Sequence, residues 1–388
     1  MLYSFASKQA LLGLCFDGIE RLGEEYPEEL RLNPIGRELL MTWMGKAQQI
    51  RRQNMKVNTV ASKLFSMLRE DGLRCCVLKG QGNALMYPNP YSRTPGDIDV
   101  WIDASRERII EYAQKKFELE DDIRLQHLET SLDGVPVELH FFPCSMNNPI
   151  YHARLQKWFR RNADLQCSHI VGLPDGAGDI AIPTTAFNVI YQLTHLYHHF
   201  FDEGIGMRQI IDYFLVVNDF SKNVFLNNDL SNPSVSLSKG SSTSHPSPLS
   251  SEERDVTALR CSEPLRYKVG GPSKVSPSCA GWDRRGMVQK ELKELGLWKF
   301  AGAIMYVMQE VFGMPASRLI VPPNEKYGKF VLNEVLEAGN FGRHDERNRF
   351  GRSKLGHNLQ RVYRDMRLVR YYPAEVMSEP FIRGWHFC

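Results

Sequence analysis

Two aspartates stand one residue apart in the segment Gly96-Asp-Ile-Asp-Val-Trp-Ile102. In an extended strand alternate side chains lie on the same face, so we expect Asp97 and Asp99 to project together. Adjacent carboxylates repel each other unless a cation neutralises them, and Mg²⁺ prefers such oxygen ligands together with phosphate oxygens. Glu138, in a later strand-like run, supplies a third carboxylate. The set predicts phosphoryl or nucleotidyl transfer assisted by two Mg²⁺ ions.

An Asp-x-Asp pair also has a simpler interpretation, which is a turn followed by an exposed strand edge. Two features of the sequence favour the metal site. Glycines stand upstream at Gly80 and Gly82, and Glu138 adds the third carboxylate. Val137 and Leu139 would lie on the opposite face of the strand and anchor Glu138 to the core.

Two cationic residues lie near the aspartates, Lys79 before Gly80 and Arg93 before the first aspartate. Arginine binds phosphate through a bidentate fork and lysine as a point charge, so both are candidates for triphosphate binding. Either residue could instead be a surface charge or part of a structural ion pair. The run from Gly80 through Gln81 to Leu85 departs from the dinucleotide-binding fingerprint, because leucine replaces the third glycine.

The elements around these residues change from helical to strand-like and back. Helical spacing predicts an N-terminal helical segment over 1–72, ending near Gly72, and a helical domain in two parts over 146–220 and 286–388. The intervening segment 73–145 predicts a compact α/β unit. It contains strand-like runs at 74–78, 98–102 and 135–141 and a connecting helix over 105–117. The fold class is therefore α+β, with a small sheet flanked by helical segments.

A serine-rich segment interrupts the helical domain. Ten of the 21 residues from Ser231 to Ser251 are serine. Such a segment cannot bury enough apolar surface to offset the entropy of ordering it. The composition predicts a disordered insertion over 221–285.

Histidines and arginines outside the sheet unit offer weaker candidates. His195 and His199 lie four residues apart and share a helix face, so they are either a metal pair or packed, hydrogen-bonded histidines. Arg208 and Asp212 have the spacing of an intrahelical ion pair. If that helix faces the cleft, Arg208 could touch nucleotide or acceptor.

The C-terminal part is basic, with nine Lys or Arg against three Asp or Glu from Arg343 to Arg370. Its apolar residues recur at heptad-like spacing, which predicts a helix that buries this stripe and exposes its arginines; the stripe is Leu355, Leu359, Val362, Met366 and Val369. An alternative is that Arg361, Arg364 or Arg367 hold phosphates of a large acceptor such as tRNA.

Composition excludes several classes of protein. The net charge of +3 gives no indication of a dedicated nucleic-acid binder, and no apolar run approaches the 18 residues of a membrane span. The segment from Met1 to Lys8 does not resemble a signal peptide. Eight scattered cysteines without a Cys-x-x-Cys pair favour reduced thiols, so we expect a cytoplasmic protein without a membrane partner.

Taken together, the motifs resemble the uncharacterised nucleotidyltransferase family of the DNA-polymerase-beta-like superfamily. The resemblance lies in motifs of the sheet unit and of the helical portion, and it covers most of the chain except the serine-rich segment. These motifs are Lys79-Gly80, Leu85, Tyr87-Pro88, Arg93, Asp97-Ile-Asp99, Glu138-Leu-His140, His195-Leu-Tyr-His-His199, Gly204-Ile-Gly206-Met-Arg208-Gln-Ile-Ile-Asp212 and Glu337-Ala-Gly-Asn-Phe-Gly342.

The resemblance implies a small mixed sheet in which Asp97, Asp99 and Glu138 are metal-binding catalytic carboxylates. It also implies that Gly80 and Gln81 form the glycine–serine turn that cradles triphosphate oxygens. Gln81 stands where the superfamily commonly has serine, and the gap to Asp97 is longer than usual. Both departures concern triphosphate binding and leave the carboxylates in place.

The expected activity is Mg²⁺-dependent transfer of a nucleoside monophosphate from an NTP to an acceptor hydroxyl. The acceptor would be a small molecule, a tRNA or a protein. Two alternatives remain open from the sequence. One is a non-catalytic regulator that binds nucleotide or RNA on the same fold, and the other is a toxin-like transferase that modifies tRNA or protein.

Overall fold

The computed structural model describes residues 1–118, 123–230, 284–345, 347 and 354–386. The described helices are α1 (Leu2–Lys8), α2 (Leu12–Glu25), α3 (Pro27–Leu32), α4 (Arg37–Glu70), α5 (Gly80–Ala84), α6 (Arg106–Lys116), α7 (Pro149–Ser168), α8 (Thr185–Asp202), α9 (Met207–Leu230), α10 (Arg284–Glu294), α11 (Trp298–Phe312), α12 (Glu325–Ala338), α13 (Lys354–Leu368) and α14 (Pro373–His386). The strands are β1 (Cys75–Leu78), β2 (Ile98–Ile102), β3 (His127–Leu132), β4 (Val135–His140), β5 (Ile170–Gly172) and β6 (Asp179–Ala181).

Four of these strands form a small mixed sheet in the order β1-β2-β4-β3. Strand β2 runs antiparallel to β1 and parallel to β4, and β3 and β4 form a hairpin. The three predicted strands are confirmed as β1, β2 and β4, and the predicted connecting helix is α6, whose Ser105 side chain accepts a hydrogen bond from the amide of Arg108. The α+β class with a small mixed sheet is therefore confirmed.

The two faces of the sheet have different partners. One face carries apolar side chains that pack against α4 and α6, including Val77, Val100 and Leu139. The other face carries Asp99, Glu138 and their neighbours and lies toward the helical portion of the chain. On that side Trp101 stacks on Phe187 of α8, with ring centroids 6.1 Å apart.

A second apolar cluster joins distant parts of the chain. It contains side chains from the N-terminal helices, from α7 to α9 and from α10 to α14, such as Phe16, Tyr191, Ile304 and Val376. The helices before and after the serine-rich segment therefore share one core with the sheet unit. None of the described helices has both the length and the apolar character to span a membrane.

Helix boundaries near the serine-rich segment are partly described. Helix α9 continues to Leu230 and α10 begins at Arg284, while residues 231–283 of the predicted insertion lie outside the described residues. The apolar periodicity that begins near Met287 is divided into α10 and α11 at Gly296, whose φ is +72°. Glycine adopts this left-handed backbone without the strain that a side chain would add.

The predicted orientation of α13 was wrong. Leu359, Val362 and Met366 are exposed, at 47%, 55% and 70% of their surface. The arginines of the helix point inward instead and form ion pairs with carboxylates of neighbouring helices. Arg361 pairs with Glu379 of α14, and Arg367 lies 3.6 Å from Glu334 of α12. The ion pairs rather than the apolar stripe set the face that α13 buries.

Candidate active site

The structure brings the three predicted carboxylates together. Asp99 on β2 is the register partner of Glu138 on β4, so the two side chains lie side by side on one face of the sheet. Asp97 immediately precedes β2, and its side chain is exposed. One oxygen from each of the three carboxylates lies within 4.8 Å of the others. Three oxygen donors at this spacing suit a divalent cation.

Two cationic side chains contact the buried Asp99. Lys79 Nζ lies 3.0 Å from Asp99 Oδ1. His140 Nε2 lies 3.1 Å from the same oxygen and 3.1 Å from Glu138 Oε2. Lys79 and His140 therefore neutralise part of the negative charge of the cluster.

The carboxylates titrate differently because their surroundings differ. The charge of Asp99, together with partial loss of solvent around the carboxylate, raises the pKa of Asp97 to about 6. Burial would raise the pKa of Asp99, but Lys79 and His140 outweigh burial and hold it below its ordinary value. The cluster therefore has more negative charge than its cations balance, which favours binding of a metal ion.

The two cations also respond to the cluster. Burial works against the protonated forms of both, but the nearby carboxylates prevail. The pKa of Lys79 is raised by Asp99, Asp97 and Glu138, and the hydrogen bonds to Asp99 and Glu138 raise the pKa of His140 to about 9. Both side chains are therefore positively charged at neutral pH.

A cavity of about 500 Å³ opens beside the aspartates. Its lining includes four cationic residues, Lys79, Arg93, Arg208 and Arg343. The carboxylates of Asp97 and Asp99 lie at its wall. A cavity of this size and charge suits a small ligand that carries several phosphates.

Comparison with known proteins agrees with this geometry. Residues 1–231, more than half of the chain, match the model of the uncharacterised nucleotidyltransferase family. The chain belongs to this family. The family resemblance seen in the sequence motifs is therefore confirmed.

Among solved structures, the chain is similar to an antigenic nucleotidyltransferase-like protein from Paracoccidioides brasiliensis. The sequence identity is 17% and the TM-score is 0.29, over 42% of this chain and 75% of that chain. No curated protein matches the chain significantly.

The predicted glycine turn follows β1 and leads into α5. Lys79 and Gly80 both have positive φ angles, +51° and +39°, so the chain turns sharply where it meets the cavity. Gly80 lines the cavity. The Gln81 side chain does not line it, because it is buried and donates a hydrogen bond to Asn58 of α4. Only the backbone of Gln81 is left for the predicted contact with triphosphate.

Arg93 forms a buried bidentate ion pair with Asp212. Its Nε and Nη2 each lie 2.8 Å from a carboxylate oxygen of Asp212, and Tyr87 donates to the same carboxylate. The predicted pair of Arg208 with Asp212 is replaced by this buried fork, because Arg93 reaches Asp212 in bidentate geometry. Arg93 Nη1 is buried and has no hydrogen-bond partner among the described residues. It is the donor that Arg93 can still offer to a ligand.

Arg208 of α9 also lines the cavity. Its Nη1 donates to the carbonyl oxygen of Thr94 at 3.3 Å, and its guanidinium lies 5.7 Å from the centre of the Phe341 ring. Its Nε is buried and has no hydrogen-bond partner among the described residues. Helix α9 therefore faces the cavity, which is the condition under which Arg208 could contact nucleotide or acceptor.

His195 contacts the site through Lys79. The distance from Lys79 Nζ to His195 Nε2 is 2.7 Å, and the distance from His195 Nε2 to His199 Nε2 is 3.0 Å. Burial and then the charge of Lys79 lower the pKa of His195 well below its ordinary value, so its neutral ring accepts from the ammonium group. Among the described residues, His195 and His199 belong to no group of three metal-ligating side chains. Of the two interpretations, hydrogen-bonded histidines agree with the structure.

Strand β3 and two of its side chains, His127 and Glu129, are absent from the sequence predictions. His127 Nδ1 lies 3.5 Å from Glu138 Oε2 on the neighbouring strand. The signal was present in the sequence as Asp133-Gly134, a dipeptide typical of two-residue hairpin turns. Both residues of this turn have positive φ angles, +51° and +70°. An alternating run before such a turn predicts the partner strand of β4.

Proposed function

We propose that this protein transfers a nucleoside monophosphate from an NTP to an acceptor hydroxyl, with Mg²⁺ held by Asp97, Asp99 and Glu138. One observation carries the proposal. Asp97, Asp99 and Glu138 place ligand oxygens within 4.8 Å of one another, and the two aspartates lie at the wall of a cavity that Lys79 and three arginines also line. The donor set is made of hard oxygen ligands, which fits Mg²⁺.

The carboxylates and the cations of the site have complementary tasks. When bound, divalent ions would neutralise triphosphate charge and activate the attacking hydroxyl. Asp99 and Glu138 are fixed in register on adjacent strands, so their spacing is set by the sheet. Asp97 is exposed at the entrance of β2 and supplies the third oxygen. Asp99 and Glu138 would therefore fix the position of the metal ion, and Asp97 would add the third carboxylate ligand.

The phosphates would lie among the cations of the cavity. Arg93 Nη1 and Arg208 Nε are buried donors without hydrogen-bond partners among the described residues. A buried donor that lacks a partner is costly, so a bound phosphate that accepts from it recovers free energy. The turn at Lys79 and Gly80 would bring backbone amides to the same ligand. Lys79 remains beside Asp99 and limits repulsion among the carboxylates.

The test is transfer of label from α-phosphate-labelled NTPs into a nucleotide-free cell extract in the presence of Mg²⁺. Asp97→Asn removes one ligand charge without changing the size of the side chain, and we expect it to lower transfer by at least about 100-fold. Asp133→Asn is the matched control, because Asp133 is exposed at the β3–β4 turn and faces Lys63 on the surface. We expect this control to retain wild-type transfer.

The outcomes separate the alternatives. Label in an acceptor with wild type and Asp133→Asn, but not with Asp97→Asn or in EDTA, supports the proposal and identifies the acceptor class. Label in tRNA or protein together with growth arrest on expression would favour the toxin-like transferase. Equal transfer by Asp97→Asn contradicts the proposal. Nucleotide binding without Mg²⁺ and without transfer in all three proteins would indicate a non-catalytic regulator.

A further inference from the structure

The β3–β4 hairpin has mirror-image sequences on its two strands. His127-Leu-Glu129 lies on β3 and Glu138-Leu-His140 on β4. The register pairs His127 with His140 and Glu129 with Glu138. Register partners share a face of the sheet, so two histidines and two glutamates form one patch beside Asp99. The nucleotidyl-transfer proposal uses only Glu138 from this patch as a ligand.

Three members of the patch have the spacing of metal ligands. One ligand atom each from His127, Glu138 and His140 lies within 4.8 Å of the others. The distance to Glu138 Oε2 is 3.5 Å from His127 Nδ1 and 3.1 Å from His140 Nε2. Ligands about 2.0–2.1 Å from a tetrahedral ion lie about 3.3–3.4 Å from one another. The two distances to Glu138 bracket that value.

His127 provides a second and independent observation. Both of its ring nitrogens are buried, and neither has a hydrogen-bond partner among the described residues. Its Nδ1 faces Glu138, while Glu129 Oε1 lies 3.6 Å from its Nε2. Arg124 holds Glu129 in place at 2.8 Å. A carboxylate behind the distal nitrogen is the usual arrangement around a histidine that ligates a metal.

We propose that His127, Glu138 and His140 form a binding site for a transition-metal ion such as Zn²⁺, distinct from the Mg²⁺ site. Two imidazoles and one carboxylate suit Zn²⁺, Co²⁺ or Mn²⁺, whereas Mg²⁺ prefers oxygen ligands. The bound ion takes the place of the proton that His140 Nε2 shares with Asp99 and Glu138. That proton is released to solvent, and the imidazole lone pair then binds the ion.

The site has an open side. His127 lines a second cavity of about 510 Å³, which shares no lining residue with the first. Because one of the three protein ligands borders this cavity, a fourth position is left for water or a ligand, as in catalytic rather than structural zinc sites. Glu138 belongs to both metal groups, so it would link the two ions. The proposal concerns binding alone and does not depend on nucleotidyl transfer.

Titration of the metal-stripped, full-length protein with Co²⁺ tests the site by its visible absorption. Co²⁺ with imidazole ligands and a low coordination number absorbs far more strongly than Co²⁺ with six oxygen ligands. We expect one equivalent to bind with strong absorption that millimolar Mg²⁺ does not displace. His127→Gln should weaken this binding by at least about 100-fold. Asp97→Asn should leave it within a few-fold of wild type, because Asp97 belongs only to the carboxylate group.

His152→Gln is the matched control. His152 lines the same second cavity, and glutamine can still accept the hydrogen bond that the amide of Met146 donates to its Nδ1. Circular dichroism checks that each variant is folded. Proton NMR of Co²⁺-loaded wild type gives a reading without any variant, since two histidine ligands predict two strongly shifted exchangeable imidazole N–H signals.

Either result decides the matter. Strong absorption that is lost in His127→Gln and kept in His152→Gln and Asp97→Asn supports the site, whether or not the protein transfers nucleotides. Weak absorption of the six-oxygen type in wild type, equal loss in Asp97→Asn, or the absence of shifted N–H signals overturns it.

Discussion

At the scale of single residues, buried charges are placed where each has a partner. Asp99 contacts Lys79 and His140, and Asp212 contacts Arg93 and Tyr87. The two aspartates line the same cavity, but the net charges of their two groups differ. The Asp99 group has an excess of negative charge, while the Asp212 group is balanced by a bidentate fork. This difference supports the proposal that the first group binds metal and that the second supports the cavity wall.

Replacing Arg93 tests its part in that support. Arg93→Met leaves the carboxylate of Asp212 buried without its fork, and removing one partner of a buried ion pair costs about 3–5 kcal/mol. We expect the free energy of unfolding, measured by urea denaturation, to fall by about that amount. Lys63→Met is the control, because Lys63 and Asp133 form an exposed pair worth less than about 1 kcal/mol. Equal losses in the two variants would contradict this role for Arg93.

At the scale of elements, the sequence predicted those segments whose local pattern determines their structure. Strands β1, β2 and β4 and helix α6 agree with the prediction because alternation and capping are local signals. The orientation of α13 and the partner of Asp212 depend on which residues approach from elsewhere in the chain. Carboxylates of α12 and α14 turn the arginines of α13 inward, against the apolar stripe. No spacing within α13 contains that information.

The site divides in the same way. The common face of Asp97 and Asp99 follows from strand periodicity, whereas the contact of Lys79 with His195 joins residues more than a hundred positions apart. The motif predicted the position of Gln81 in the chain but not the direction of its side chain. Gln81 follows Gly80 in the turn, but its side chain points away from the cavity because it donates a hydrogen bond to Asn58 of α4.

Helix α14 is attached to the start of α7 through a single carboxylate. Glu375 is buried and accepts hydrogen bonds from the amides of Asn147 and Asn148, at 2.6 and 3.3 Å. Burial raises the pKa of Glu375 from 4.5 to about 7. Between these two values the folded protein keeps the proton and the unfolded chain releases it. This contribution to stability is therefore complete below about pH 4.5 and is lost as the pH rises through about 7.

Glu375→Gln removes this titration. We expect the free energy of unfolding of wild type to fall relative to the variant, by up to about 3 kcal/mol, as the pH rises from about 4.5 to above 7. Denaturation of both proteins at several pH values measures the difference. Glu38→Gln, at an exposed glutamate in the first turn of α4, should follow wild type throughout. A pH profile of Glu375→Gln parallel to wild type would rule out the titration.

At the scale of the whole molecule, the cavity is built from distant parts of the chain. Gly80 and Asp97 come from the sheet unit, His195 and Arg208 from α8 and α9, and Phe341 from the segment after α12. One apolar cluster runs from the N-terminal helices to α14 and fixes these parts against one another. The helical segments therefore complete the cavity beside the carboxylates, and the family match likewise extends beyond the sheet unit, to residue 231.

Nucleotidyl transfer by this protein is tested most directly by following the label of an NTP. Wild-type protein, Mg²⁺ and nucleotide-free extract are incubated in parallel with NTP labelled at the α-phosphate or at the γ-phosphate. Nucleotidyl transfer predicts α-label in the acceptor, γ-label in released pyrophosphate, and neither product with Asp97→Asn. Transfer of the γ-label to the acceptor, or no release of pyrophosphate with any NTP, would contradict nucleotidyl transfer.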